Sequence, residues 1–112
     1  HSDVRCSAMC VRISALRSHS EAVWIGTEKP LEVKDVQNAL ASAPGVILED
    51  DPQNRIYPMP LFTAGKDEIH VGRVRKDLCN PCGITLWLSG DQIRKGAALN
   101  AVQIAEYLIS QK

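Results

Sequence analysis

From Met9 to Leu16 the side chains alternate. Met9, Val11, Ile13 and Ala15 fall on one side, and Cys10, Arg12, Ser14 and Leu16 on the other. A period of two with β-branched residues predicts a strand. Ser20 to Glu28 predicts a second strand, with Val23 and Ile25 on one face and Ala22 and Trp24 on the other. Arg17-Ser18-His19 between them is short enough for a hairpin, although no Asn-Gly or Gly-Gly marks its turn. Val33, Val36, Leu40 and Ala43 then recur at helical spacing, with Pro30 before the stripe and Pro44-Gly45 to stop it. Val46-Ile47-Leu48 reads as a brief buried strand. Residues 52–66, which hold Pro52, Pro58 and Pro60, read as irregular chain. Ile69 to Lys76 alternates again, and Ile84 to Leu88 is a further strand rich in branched apolar residues. The clearest helix is the last, with Ala98, Ala101, Val102, Ala105, Leu108 and Ile109 on one face. Ser89-Gly90-Asp91-Gln92 before it offers capping residues in the S-x-x-Q spacing of a capping box. The order β-β-α-β-(irregular)-β-β-α predicts an α+β layer, with helices over one face of a mainly antiparallel sheet.

Composition narrows the function classes. The chain has 112 residues, with 13 Lys+Arg against 13 Asp+Glu and no net charge. That size suits one domain or part of one, and the first residue is His rather than Met, so a fragment is expected. Zero net charge supplies no electrostatic footprint for nucleic acid or an acidic membrane. Aromatic residues make up only 4%, which argues against a base-stacking platform. No apolar run approaches the ~18 residues of a membrane span, and the first residues lack the apolar stretch of a secretory signal. A cytoplasmic protein is expected.

The four cysteines form Cys6-x3-Cys10 and Cys79-x2-Cys82. Zinc would need all four thiolates to converge. The first pair lies on an extended run, where residues four apart are ~13 Å distant. Free thiols and no metal are therefore expected. Glu49-Asp50-Asp51 lacks the spacing of a calcium loop. Gly72-Arg73-Val74-Arg75-Lys76-Asp77 reads as a sheet face bridged to acidic neighbours rather than a phosphate site. His1 and His70 have no partner that the sequence identifies. The pair with chemical promise is Arg12 and His19. If the chain reverses near residues 15–17, they become cross-strand or diagonal neighbours, about 5–8 Å apart. Arginine grips a planar carboxylate with two parallel hydrogen bonds, and an imidazole transfers protons near neutral pH. The same residues also suit a solvated strand face and a turn histidine, and spacing alone leaves both open.

Three segments carry a family resemblance. Cys10-Val11-Arg12-Ile13-Ser14-Ala15-Leu16-Arg17-Ser18-His19-Ser20-Glu21 resembles the C-V-R-x6-H-S-[EQ] segment of aspartate-semialdehyde dehydrogenases. Val71-Gly72-Arg73-Val74-Arg75-Lys76-Asp77 is similar to that family's V-G-R-[IV]-R-K-D strand. Gly90-Asp91-Gln92-Ile93-Arg94-Lys95-Gly96-Ala97-Ala98-Leu99-Asn100-Ala101-Val102-Gln103 is similar to its D-[NQ]-[LI]-R-K-G-A-A-L-N-A-V-Q helix segment. The three stand in the family's order and spread over essentially the whole chain.

The resemblance implies the C-terminal third of an enzyme that reduces aspartyl phosphate to aspartate semialdehyde with NADPH. That step leads to lysine, by way of diaminopimelate, and to methionine and threonine. It implies an α+β substrate-binding and dimerisation domain of the glyceraldehyde-3-phosphate-dehydrogenase-like type over residues 1–91. Residues 92–112 would be a helix that packs on an NADP-binding domain outside this chain. By motif position, His19 would be the acid/base, Arg12 the grip on the substrate carboxylate, and Gln92 a contact to NADP. The family's glycine-rich loop and its nucleophilic cysteine in an N-C-T context have no counterpart here, and none of Cys6, Cys10, Cys79 and Cys82 has those neighbours. The chain alone is expected to be inactive, and its parent a homodimer. The alternatives are a non-catalytic dimerisation or interaction module of the same descent, and a related acyl-phosphate reductase such as the acetylglutamyl-phosphate enzyme. Retention of both Arg12 and His19 argues against the first. The R-K-G-A-A-L-N run argues against the second.

Overall fold

Gly83–Gly90 lies in the interior of a four-stranded sheet and organises everything around it. The computed structural model describes residues 3–111. The elements are β1 (His19–Gly26), α1 (Val33–Ser42), β2 (Val46–Leu48), α2 (Pro60–Thr63), β3 (Ile69–Lys76), β4 (Gly83–Gly90), a π-helical segment (Arg94–Ala98) and α3 (Leu99–Ser110). The sheet order is β1-β4-β3-β2. β1 and β3 flank β4 antiparallel, and β2 joins the far edge parallel to β3. The fold is therefore mixed α+β, as the sequence pattern implied.

The predicted strand over Met9–Leu16 is absent. Those residues carry no regular structure and are exposed, and Leu16 is fully so. Alternation supplies strand propensity, but a strand persists only where its backbone groups find a ladder. β1 takes that ladder from β4, 64 residues on, rather than from the segment before it: His19 stands opposite Gly90 and Gly26 opposite Gly83. The hairpin expected around Arg17-Ser18-His19 does not form.

Register assigns the two faces of the sheet. Ser20 with Ser89, Ala22 with Trp87, and Trp24 with Thr85 share one face; Val23 with Leu86 and Ile25 with Ile84 share the other. Segment 49–66 lies on the first face, where Trp87 donates its indole N–H to the Pro58 carbonyl at 3.0 Å. Gly72 is what allows this cover. A Cβ there would stand 2.0 Å from the Glu49 carbonyl oxygen and 2.8 Å from Pro58 Cδ. Segment 52–66 is less irregular than its prolines suggest. An Asp51–Ile56 bridge closes one turn, and Pro60 opens the single helical turn α2, a position where its missing N–H costs nothing.

Asp50 shapes the middle of β3, and Asp77 its C-terminal end. Asp50 accepts the N–H groups of Arg73 (2.8 Å) and Val74 (3.1 Å) where a bulge interrupts the ladder between Gly72 and Arg75. Asp77 accepts from Cys79 and Asn80, and Asn80 accepts from Cys82, so the Cys79–Cys82 turn is held by side-chain oxygens. Lys76 pairs with Glu32 at 2.7 Å, in keeping with a bridged sheet face. α1 runs where its stripe was predicted, stops before Pro44-Gly45 and packs on β2 and β3. The core is small: among the described residues, Val71, Val74 and Ile84 are its buried aliphatic side chains, with Pro58 fully buried besides. Among the described residues, no helix is long and apolar enough to cross a membrane.

Candidate active site

Where β4 ends beside the start of β1, three consecutive residues are tied down by three nearby ones. Arg17 donates Nε–H to Asp91 Oδ2 at 2.8 Å. The Ser18 backbone N–H donates to Gln92 Oε1 at 2.8 Å. Ser89 donates its hydroxyl to the His19 carbonyl at 3.1 Å. Ser18 is buried and sits in the left-handed region with φ of 72°, a conformation that costs a non-glycine residue energy and persists only where its surroundings hold it. The surroundings do hold it. Thr63, fully buried on α2, donates to Ser18 Oγ at 3.1 Å and lies 3.0 Å from Ser89 Oγ. Ser20 donates to Ser89 Oγ at 3.1 Å.

Asp91 is the electrostatic centre of this corner. Its side chain is fully buried and accepts N–H groups from Gly65 (2.6 Å) and Ile93 (2.9 Å) besides the Arg17 guanidinium. Burial pushes its carboxyl up, but the Gly65 and Ile93 donors and the Arg17 charge together outweigh that and hold it below the ordinary carboxylate range. Asp91 also starts the C-terminal helical run, because its Oδ1 accepts from Ile93 and its carbonyl from Arg94 and Gly96. The capping role expected of Ser89 thus falls to Asp91, while Ser89 remains in β4 and serves the hydroxyl cluster. The helix itself begins later than its sequence stripe suggests. Residues 94–98 wind as a π-helical segment broken at Ala97, and Arg94 is anchored by Asp67, whose bond raises the guanidinium further.

His19 opens β1 with its main chain pinned and its imidazole exposed. Gln92 is half-buried and engaged with Ser18. Arg12 is exposed on the segment outside the sheet, and no strand pairing sets it opposite His19. All four cysteines are free thiols, and among the described residues no three His, Cys, Asp or Glu side chains gather as a metal site. His70 is buried on β3 with Nδ1 2.9 Å from Glu49 Oε1, a partner the sequence did not reveal; His1 lies outside the described residues. Sequence reasoning also missed Arg17, Ser18, Thr63 and Ser89 as site residues. The one available signal was the polar run Ser89-x-Asp91-Gln92 directly after an apolar strand.

With this geometry in view, comparison with known proteins assigns the chain. Residues 1–95 match the family model of the semialdehyde dehydrogenase dimerisation domain, and the chain belongs to that family. The aspartate-semialdehyde dehydrogenase of Synechocystis sp. is 52% identical over 109 residues, covering 97% of this chain and 32% of the relative. That of Aquifex aeolicus is 48% identical with the same coverage of both. The crystal structure of aspartate semialdehyde dehydrogenase II from Vibrio cholerae complexed with ASA superposes with a TM-score of 0.76 at 41% identity, over 84% of this chain and 27% of that one. The chain spans about a third of the length of the curated relatives it matches.

Proposed function

We propose that the chain is the C-terminal portion of an NADP-dependent aspartate-semialdehyde dehydrogenase, which reduces aspartyl phosphate to aspartate semialdehyde and releases phosphate. The observation that carries this reading is 52% identity over 97% of the chain to a protein of that name. The parent serves lysine, methionine and threonine synthesis in the cytoplasm. It works as a homodimer, a reading supported by the open sheet face around Trp24, which is 68% exposed beside Tyr57, Met59 and Trp87. Residues 1–91 belong to the substrate-binding and dimerisation domain, and residues 92–112 form the helix that returns to the nucleotide domain.

His19 is the proton acceptor and donor. A cysteine thiol from the rest of the parent must lose its proton to attack the acyl phosphate, and an exposed imidazole on a pinned main chain suits that transfer. Arg12 supplies a two-pronged grip for the substrate carboxylate, and its exposed segment leaves the guanidinium free to reach it. Gln92 fits a cofactor contact through its amide nitrogen. Its carbonyl oxygen accepts the Ser18 N–H on one of two lone pairs, and its two Nε2 donors suit an acceptor such as a carboxamide oxygen. NADPH, when bound, supplies the hydride.

The test is His19→Asn in the full-length enzyme. Turnover should fall by roughly two to four orders of magnitude with a smaller effect on substrate KM. Normal turnover across pH would remove His19 from the mechanism. Arg12→Leu should instead act mainly on substrate KM, and Arg12→Lys should rescue little, because a point charge cannot reproduce the fork.

A further inference from the structure

We infer that Gln92 is a positioning residue for His19, acting through the Ser18 amide, in addition to any contact it makes with a nucleotide. The inference deepens the proposed function and rests on its assignment of His19. Its basis is the direction of one hydrogen bond. A backbone N–H can only donate, so the atom of the Gln92 amide facing Ser18 is its oxygen. That oxygen holds the residue immediately before His19 in a left-handed conformation that a serine adopts only under constraint. On either side of this bond, Arg17 is held by Asp91 and the His19 carbonyl by Ser89. The backbone that aims the imidazole is thus fixed from the residues that lead into the C-terminal helix. The two ends of the Gln92 amide have separate tasks: the oxygen orients the proton-transfer group, and the nitrogen faces whatever occupies the cofactor side.

Two substitutions separate the tasks. Gln92→Glu keeps an acceptor oxygen for Ser18 but loses the amide donors. Gln92→Leu keeps the bulk and loses both. The full-length enzyme is assayed for kcat and for nucleotide KM, and amide hydrogen exchange at Ser18 is followed without nucleotide. Misplacing a catalytic group by about 1 Å can cost on the order of a hundredfold in rate. Gln92→Leu should therefore lower kcat by roughly ten- to a hundredfold and speed Ser18 exchange at least tenfold. Gln92→Glu should recover most of kcat and of the Ser18 protection, while nucleotide KM stays raised in both variants. Equal losses of kcat in both variants, with Ser18 exchange unchanged from wild type, would overturn the inference and leave Gln92 as a nucleotide contact alone. His19→Asn is run in parallel to keep the two failures apart. Normal turnover in that variant defeats the assignment of His19, and the positioning role with it. Lost turnover there, combined with wild-type kcat in Gln92→Leu, defeats the positioning role alone.

Discussion

Met9–Leu16 and His19–Gly26 are neighbouring eight-residue runs with the same alternation of side chains, yet only the second is a strand. Each of its eight residues has a partner on β4, and its first carbonyl is held by Ser89. The first run has more apolar residues, six against four, and no ladder. Its Met9, Val11, Ile13 and Leu16 remain exposed. The difference teaches that periodicity states which face a segment would bury, while partners decide first whether it forms and then whether it buries anything: β1 forms through its ladder, yet none of its eight residues is buried. α3 repeats the lesson in helical form. It is a regular twelve-residue helix with an apolar stripe, and none of its residues is buried.

The largest expected effect separates the laddered region from the unladdered one. Ile84, on β4 opposite Ile25, is 2% exposed. Ile84→Ala should destabilise the protein by about 3 kcal/mol, through lost burial and the cavity left behind. Ile13→Ala, an identical change on the unladdered run, should cost less than about 0.5 kcal/mol. Urea denaturation of both proteins measures the contrast. Similar losses would mean that residues 9–16 are packed after all.

The same contrast explains what could be read before the structure was known. α1 was legible because its stripe, Pro30 and Pro44-Gly45 are all local signals. β3 and β4 were legible because both alternate or run apolar and are joined by a turn rich in Asn, Pro and Gly. The single turn of α2 escaped because four residues carry no measurable period. For the candidate site, motif positions point to His19, Arg12 and Gln92; the structure sets Gln92 against the residue before His19 and leaves Arg12 outside the sheet. The tie between Ser18 and Gln92 was not legible, since it joins residues 74 apart and depends on a left-handed serine. Asp91 looked like an ordinary capping residue, because its burial depends on Gly65 and Arg17 converging from other parts of the chain.

A pH experiment sharpens the role of that convergence. The Asp91 carboxyl is held below its ordinary range in the folded protein, so the unfolded chain binds its proton more readily. The stability it contributes is complete above the unfolded value of about 4, and is lost as pH falls through the lower folded value. Asp91→Asn removes this titration and leaves Arg17 without its carboxylate. The variant should be less stable at neutral pH, and the difference from wild type should shrink as pH drops below about 4. Stability measured by denaturant from pH 7 down to pH 3 checks this. A constant difference over that range would mean that Asp91 does not titrate as part of the fold.

The smallest effect tests whether the head of β1 is strained where its body is not. Within a strand, glycine is less stable than alanine by roughly 0.5–1 kcal/mol, because it loses more freedom on folding. Ala22, opposite Trp87 in the body of β1, should obey that rule, and Ala22→Gly should destabilise by about that amount. At Ser18 the sign should invert. Ser18→Ala and Ser18→Gly both delete the hydroxyl that accepts from Thr63, so that loss cancels between them. What remains is the backbone at φ of 72°, where a Cβ costs about 1 kcal/mol and glycine costs nothing comparable. Ser18→Gly should therefore be the more stable of the two by about 1 kcal/mol, measured by denaturant in otherwise identical proteins. If Ser18→Ala is the more stable instead, the left-handed turn is not what Gln92 and Thr63 hold in place. The head of β1 would then be as ordinary as its body.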